Sequence, residues 1–198
     1  GCTDTIVKFL TVNPLPAMVL QLDKNAACHP ATIQLQTQSG AQLYHWDFGD
    51  GTATQGSNVM THVYNNTTIY DTTYSILLTV TSMHGCVKTF SNAVTVYASP
   101  IADFSITPDR GCAPLQVQIQ NNSYNVLKYT WNYGDGVISN QIFAQNTHVY
   151  ANTGTTQQEY MLHLDVESAS GCLHSTEKKV YVYPQVIANF TANPTAGC

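Results

Sequence analysis

The chain is organised around a strand pattern in which large aromatic residues alternate with polar ones. In Tyr44–Phe48 the aromatics stand at positions 44, 46 and 48, and Tyr129–Tyr133 repeats the arrangement at 129, 131 and 133. Alternate side chains of a β-strand point to opposite faces, so the aromatics of each stretch share one face. Gly-Asp-Gly follows both stretches, and glycine reaches the positive φ values that a sharp turn needs. Each stretch is therefore predicted to be the central core strand of a β-sandwich, with Trp46 and Trp131 inside.

Further period-two patterns, bounded by turn residues, predict five more strands in each half of the chain. In the first half they are 17–22, 32–37, 58–64, 73–81 and 89–97, beside the aromatic strand at 43–48. In the second half they are 102–106, 115–120, 145–150, 159–167 and 178–183, beside the aromatic strand at 128–133. No stretch has a helical pattern, so the chain is predicted to be all-β.

The two halves are copies of one unit. Trp46 and Trp131 lie 85 residues apart, and His62 and His148 lie 86 residues apart. A period of this length suits a seven-stranded sandwich, so complete units are predicted at 16–99 and 100–186. Residues 1–15 match the last strand of each unit, and 187–198 match the first strand. These segments are expected to belong to a preceding and a following unit of a longer repetitive protein.

The repeated motifs resemble the PKD (polycystic kidney disease) repeat. In order they are Trp46–Gly51, Thr61–Tyr64 and Tyr74–Val80, then Trp131–Gly136, Thr147–Tyr150 and Tyr160–Val166. The second copy departs at Asn132 and Tyr133, where the family more often has Asp and Phe. The resemblance implies immunoglobulin-like β-sandwiches, an extracellular setting and no catalytic activity.

Composition narrows the range of partners. Charged residues make up only 10% of the chain, against about 25% in an average soluble domain, so Thr, Asn, Gln and Ser must cover the surface. The formal charge is −5 and no basic stripe is present, which excludes a nucleic-acid binder and disfavours anionic membranes. No apolar run is long enough to predict a membrane span.

The aspartates of the Gly-Asp-Gly turns invite a calcium hypothesis. Asp47 and Asp50 lack the alternate ligand spacing of a calcium loop, and the second copy has only Asp135 with Asn132. Both turn aspartates are therefore predicted to accept backbone N–H bonds, with no cofactor, although a weak structural calcium site stays open.

The histidines of the two Thr-His-Val-Tyr segments are predicted to be structural. His62 and His148 should lie on the face opposite the valines and tie neighbouring strands together. No further ligand stands at metal-binding spacing, and no nucleophile motif, phosphate loop or zinc-protease motif occurs. The chain is predicted not to be an enzyme.

The function predicted from the sequence is mechanical and adhesive. The units are expected to form a rigid linear rod or filament of a large cell-surface protein. Neighbouring units would be its partners, with surface polysaccharide or other surface proteins as further candidates. The alternative is a spacer that helps a secreted polysaccharide- or protein-degrading enzyme hold its substrate. A carbohydrate-binding module would need exposed coplanar aromatics, for which the candidates are Tyr70, Tyr124 and Phe143.

Glycosylation motifs give a less specific signal. Asn66, Asn121 and Asn189 begin Asn-x-Ser/Thr triplets. Thr5 and Thr72 stand in segments that resemble the O-glycosylation motif of Bacteroidota surface proteins. The paired Gly-Cys motifs likewise resemble those of long adhesins from that group.

The cysteines are expected to be oxidised, because the chain is expected to be secreted. Strand parity places the Cys28 loop and the Cys86 loop at opposite ends of their unit. They are separated by a strand of about 7 residues, or roughly 20–25 Å. A disulfide needs Cα atoms about 4.4–6.8 Å apart. We therefore predict a bond between Cys28 and Cys172 that joins the two units, with Cys28–Cys86 and Cys112–Cys172 as the alternative.

Overall fold

The protein folds into two units, which divide after Ala98. The computed structural model describes residues 1–13, 15 and 17–191, so Cys198 and the rest of 192–198 lie outside the described residues. Every regular element in the described residues is a β-strand, and the predicted all-β, tandem sandwich architecture is confirmed.

Among the residues that the structure describes, the first unit has eight strands in two sheets. They are β1 (Gln21–Leu22), β2 (Ala26–Cys28), β3 (Ala31–Gln36), β4 (Leu43–Asp47), β5 (Ala53–Gly56), β6 (Val59–Tyr64), β7 (Thr72–Thr81) and β8 (Val87–Tyr97). One sheet has the order β1-β3-β6 and the other β2-β8-β7-β4-β5. All pairs are antiparallel except β2–β8, which is parallel.

The second unit repeats this arrangement strand for strand. Its strands are β9 (Phe104–Thr107), β10 (Arg110–Cys112), β11 (Leu115–Asn121), β12 (Lys128–Asn132), β13 (Ile138–Ser139), β14 (Gln145–Tyr150), β15 (Gln158–Glu167) and β16 (Leu173–Tyr183). The sheets are β14-β11-β9 and β10-β16-β15-β12-β13, and β10–β16 is again parallel.

Each unit has its own core between its two sheets. Trp46 and Trp131 are 0% exposed and belong to the hydrophobic cores of their units. Buried and exposed residues alternate along β3, and along β11 from Leu115 to Ile119, which shows how the sequence pattern produces this core. Burying a Trp, Ile or Leu side chain removes apolar surface from water, and each Å² of that surface stabilises the fold by about 25 cal/mol.

The predicted first strand of each unit is wrong in its extent. Residues 17–20 are not in a strand, and only Gln21–Leu22 pair with β3. In the second unit the strand is Phe104–Thr107, where 102–106 is predicted. The chain then crosses to the other sheet and forms a further short strand, β2 or β10, which the sequence analysis missed. The short strands β5 and β13 were missed as well.

Residues 1–13 form no strand in the structure, so the strand predicted there is not observed. A strand exists only by hydrogen bonding to a neighbour, because its backbone groups must find partners. The segment is exposed, and its large side chains are among the most accessible of the chain, including Phe9 at 96%.

Candidate functional site

The first Gly-Asp-Gly turn is held by local hydrogen bonds and by close packing of its glycine. Oδ1 of Asp47 accepts the N–H of Gly49 at 2.9 Å, the geometry of an Asx turn. Gly49 has φ +77°, and a Cβ added there would lie 2.3 Å from the carbonyl oxygen of Ser75. Only glycine fits this position, for reasons of both conformation and space.

Asp50 joins the turn to the neighbouring sheet. Its Oδ1 accepts the N–H of Thr52 at 3.0 Å and the hydroxyl of Thr52 at 2.6 Å. Its Oδ2 lies 2.7 Å from Nε2 of His62 on β6. Burial by itself raises the pKa of Asp50, but the hydrogen bonds from Thr52 and His62 outweigh it, so the pKa lies below its ordinary value.

The ring of His62 is held between aromatic side chains. It stacks on Phe48 with ring centroids 3.9 Å apart and meets Tyr64 edge-on at 4.6 Å. The Tyr64 hydroxyl donates to the carbonyl oxygen of Phe48 at 3.1 Å. Burial, together with the charge on Asp50, raises the pKa of Tyr64, so the phenol stays a donor.

The second copy builds the same arrangement with altered residues. Oδ1 of Asn132 accepts the N–H of Gly134 at 3.0 Å, so the amide replaces the carboxylate of Asp47 without loss of the turn. Asp135 accepts the N–H of Val137 at 3.0 Å and lies 2.6 Å from Nε2 of His148. The ring of His148 stacks on Tyr133 at a centroid distance of 4.0 Å.

The hydrogen bonds of the two sites join elements within each unit. Both carboxylate oxygens of Asp50 already accept hydrogen bonds from the protein. In the part of the chain that the structure describes, no group of three or more His, Cys, Asp or Glu side chains could hold a metal ion. What the site can do is fix the end of β4 against β6.

A second repeated device, at Asn66 and Asn152, was missed by the sequence analysis. Both side chains are buried, at 2% and 4% exposure. Nδ2 of Asn66 donates to the carbonyl oxygens of Tyr70 at 2.7 Å and Val96 at 2.9 Å. Nδ2 of Asn152 makes the equivalent two bonds. The signal was available, since each Asn stands two residues after the Tyr of Thr-His-Val-Tyr.

This geometry corrects the glycosylation prediction at Asn66. The nitrogen that would carry a glycan makes two hydrogen bonds inside the unit, so the folded unit has no room for a sugar there. Nδ2 of Asn121 donates to the carbonyl oxygen of Phe143 at 3.1 Å. Asn189 and Thr5 are exposed, and Thr72 is half-buried. Glycans at these positions stay predictions.

The aromatic candidates for carbohydrate binding do not form a platform within either unit. Tyr70, 70% exposed, belongs to the first unit, and Tyr124, 48% exposed, belongs to the second. Phe143 stacks on Trp131 with ring centroids 4.7 Å apart, so it packs against the core of its unit.

The cysteines differ in their oxidation state. Cys28 and Cys172 are disulfide-bonded, whereas Cys2, Cys86 and Cys112 are free thiols. The alternative pairs, Cys28–Cys86 and Cys112–Cys172, are therefore not formed in the structure. The pairing of Cys28 with Cys172 stays a prediction.

Comparison with known protein families shows which family the two sandwiches belong to. The sequence profile of the PKD domain matches residues 13–96 and again residues 97–183, which together make up most of the chain. The chain belongs to the PKD domain family. PKD domains are non-catalytic repeat modules and are typically extracellular, and oxidised cysteines fit that location.

Solved PKD domains resemble the units individually. The PKD1 domain of the Vibrio cholerae metalloprotease PrtV is 26% identical, covering 43% of this chain and 98% of that domain, with a TM-score of 0.35. The PKD1 domain of Vibrio anguillarum Epp is 22% identical, covering 43% of this chain and 95% of that domain, with the same TM-score of 0.35. A titin I-band fragment, I67–I69, is 9% identical over 86% of this chain and 66% of its own length, with a TM-score of 0.46.

Among the residues described, none lies in a helix long and apolar enough to be a candidate membrane span.

Proposed function

We propose that the two PKD units are a non-catalytic, tension-bearing segment of an extracellular surface protein, extended as a rod or filament. The observation that carries this proposal is the parallel pairing of a strand near the start of each unit with its last strand. In the first unit Ala26–Cys28 pair with Thr95–Tyr97, and in the second Arg110–Cys112 pair with Tyr181–Tyr183.

Parallel pairing decides how a unit meets a pulling force. Tension on the two ends of the unit pulls β2 toward its N-terminal end and β8 toward its C-terminal end. Because the two strands run parallel, they are pulled in opposite directions. The hydrogen bonds between them are then loaded together, because they lie across the direction of pull. An antiparallel hairpin pulled at its open end would lose its bonds one after another.

We call the parallel pairing of β2 with β8, and of β10 with β16, the clamp of each unit. Its backbone hydrogen bonds continue past the ends of the paired strands. The N–H of Thr95 donates to the carbonyl oxygen of Asn25 at 2.9 Å, and that of His29 donates to Tyr97 at 3.2 Å. The same two bonds recur in the second unit, from Tyr181 to Asp109 and from Ala113 to Tyr183, each at 2.9 Å. Two units with one clamp each are suited to sustained load.

Single-molecule force spectroscopy under reducing conditions tests the proposal. The carbonyl group of Asn25 and the N–H of His29 face β8. Backbone groups of alternate residues in a strand face the same neighbour, so the N–H of Ala27 also faces β8. Ala27→Pro removes this donor, so the first unit should unfold at lower force while the second unit stays unchanged. Ala26→Pro, whose amide points away from β8, is the matched control. Equal unfolding forces for the wild type and Ala27→Pro would contradict a tension-bearing clamp.

The proposed partners are neighbouring PKD units, with surface polysaccharide or surface proteins as adhesion targets. A clamp of this kind would also serve a spacer beside the catalytic domain of a secreted enzyme. The full-length coding sequence distinguishes the two: many further PKD units favour the rod, and an adjoining catalytic domain favours the spacer.

A further inference from the structure

Each unit carries its two cysteines at opposite ends of its last strand. Cys86 directly precedes β8, whereas Cys28 lies beside Tyr97 at the far end of β8. The strand has 11 residues, so its ends are about 33 Å apart at roughly 3.3 Å per residue. A disulfide needs Cα atoms about 4.4–6.8 Å apart. The cysteines of one unit therefore cannot bond to each other.

The cysteine at the start of the last strand has the same backbone setting in both units. The N–H of Cys86 donates to Oγ of Ser82 at 3.1 Å, and the N–H of Cys172 donates to Oγ of Ser168 at 3.1 Å. The carbonyl oxygens of both cysteines accept a backbone bond from the same serines at 2.9 Å. We call Cys86 and Cys172 the turn cysteines.

The cysteine at the far end of the last strand is also equivalent in the two units. Cys28 pairs with Tyr97 and Cys112 pairs with Tyr183, each as the last residue of the short parallel strand. We call Cys28 and Cys112 the clamp cysteines. Each unit thus has one turn cysteine and one clamp cysteine.

Equivalent cysteines differ in oxidation state. The clamp cysteine is disulfide-bonded at Cys28 and free at Cys112, and the turn cysteine is disulfide-bonded at Cys172 and free at Cys86. The local backbone hydrogen bonds are the same, so they do not account for the difference. Cys112 is exposed and Cys86 is half-buried, so a second molecule can reach both thiols.

We propose that Cys112 and Cys86 are complementary end-joining thiols, through which another unit of this type is added head to tail. The clamp cysteine Cys112 of one molecule bonds to the turn cysteine Cys86 of the next, following the pairing predicted for Cys28 and Cys172. This proposal deepens the proposed rod function and rests on it, since it supplies the covalent joints of the rod. Two thiols lose two protons and two electrons to one oxidised glutathione, which yields one protein disulfide and two reduced glutathione molecules.

The test uses two variants in a common Cys2→Ser, Cys198→Ser background. Cys86→Ser keeps only the clamp thiol, and Cys112→Ser keeps only the turn thiol. Each variant alone, incubated with a glutathione redox buffer, should stay monomeric on a non-reducing gel. An equimolar mixture should give a dimer and no longer species, because each partner has a single thiol. The background chain with both thiols should give a ladder.

Peptide mapping of the dimer should show the Cys112 peptide linked to the Cys86 peptide. Thermal melts under reducing conditions check that both variants fold like the background chain. Dimers of either variant alone, in the same yield as the mixture, would show unselective thiols and overturn the proposal. So would a mixture that stays monomeric or is only capped by glutathione. Because the force measurement on Ala27→Pro is made with all thiols reduced, its result is independent of this one.

Discussion

Removing the side-chain amide of Asn66 should clearly destabilise the first unit. Asn66→Ala removes the buried bond from Nδ2 to the carbonyl oxygen of Val96, which contributes about 0.5–1.5 kcal/mol. The bonds to the Tyr70 carbonyl oxygen and from the N–H of Thr68 are partly accessible to water. They add about 0.5–1.5 kcal/mol each. The expected loss in the free energy of unfolding is therefore about 1.5–4.5 kcal/mol.

A loss of this size is easily measured in a unit of this length. One kcal/mol shifts the melting temperature of a 60–100-residue domain by about 4–8 °C, so a loss of about 3 kcal/mol in Asn66→Ala should lower it by roughly 12–24 °C. Scanning calorimetry under reducing conditions should show one transition shifted and the other unchanged. Asn152→Ala should shift the other transition, which assigns the two transitions to their units.

The neighbouring residue supplies the matched control. Asn65 is exposed, and its backbone carbonyl oxygen accepts the hydroxyl of Tyr74 at 3.3 Å, a bond that an alanine keeps. Asn65→Ala should therefore leave the melting temperature nearly unchanged. If the two alanine variants melted at the same temperature, the hydrogen-bond argument for Asn66 would be refuted.

Three further predictions concern the Gly-Asp-Gly turn. Gly49→Ala should destabilise the first unit in urea unfolding far more than Gly51→Ala, because both have positive φ but only Gly49 lies against the backbone of Ser75; equal effects would contradict this. Since the pKa of Asp50 is lowered by folding, its contribution to stability is present above the unfolded-state pKa of about 3.9 and is lost as pH falls through the folded value. The stability difference between the wild type and Asp50→Asn should therefore shrink between pH 5 and pH 2, and a constant difference would be inconsistent with the lowered pKa. A chelator should leave both melting transitions unchanged, whereas a drop restored by calcium would show a metal role for Asp50 or Asp135.

The long strands could be predicted because buried and exposed residues alternate along them. Every second residue is buried along β3, and along β11 from Leu115 to Ile119, so the period-two pattern in the sequence reports the sheet directly. The short strand Ala26–Cys28 has no such pattern, since all three residues are half-buried at the edge of a sheet. Ala53–Gly56 is polar and mostly exposed. Strands made by pairing alone, without a buried face, leave no periodic signal.

The sites, like the strands, include features that the sequence predicts and features that it does not. Asp50 and His62 recur as Asp135 and His148, at separations of 12 and 13 residues, and their partnership was open to prediction from the sequence. For Asn66 the sequence shows only its repeated place two residues after the Tyr of Thr-His-Val-Tyr, because an Asn-x-Thr triplet has the same letters whether its amide is exposed or buried. Its burial depends on carbonyl groups of Tyr70 and Val96, which only the folded chain brings to it.

The second unit also shows which contacts of the first the fold can lose. Nε1 of Trp46 donates to the carbonyl oxygen of Ser57 at 3.0 Å, but Nε1 of the equally buried Trp131 has no acceptor among the described residues.

An unpaired buried N–H costs about 1–3 kcal/mol. Phe143 occupies the position that corresponds to Ser57, and its ring stacks on Trp131. Aromatic stacking contributes about 0.5–1.5 kcal/mol beyond the apolar area that it buries, so the cost of the unpaired N–H and the gain from stacking are of similar size.

The bond between the turn aspartate and the histidine, in contrast, is kept in both units, although Thr52 of the first unit corresponds to Val137 and Phe48 corresponds to Tyr133. A buried indole needs only its volume filled, whereas the turn must be tied to the facing sheet for β4 to end where it does.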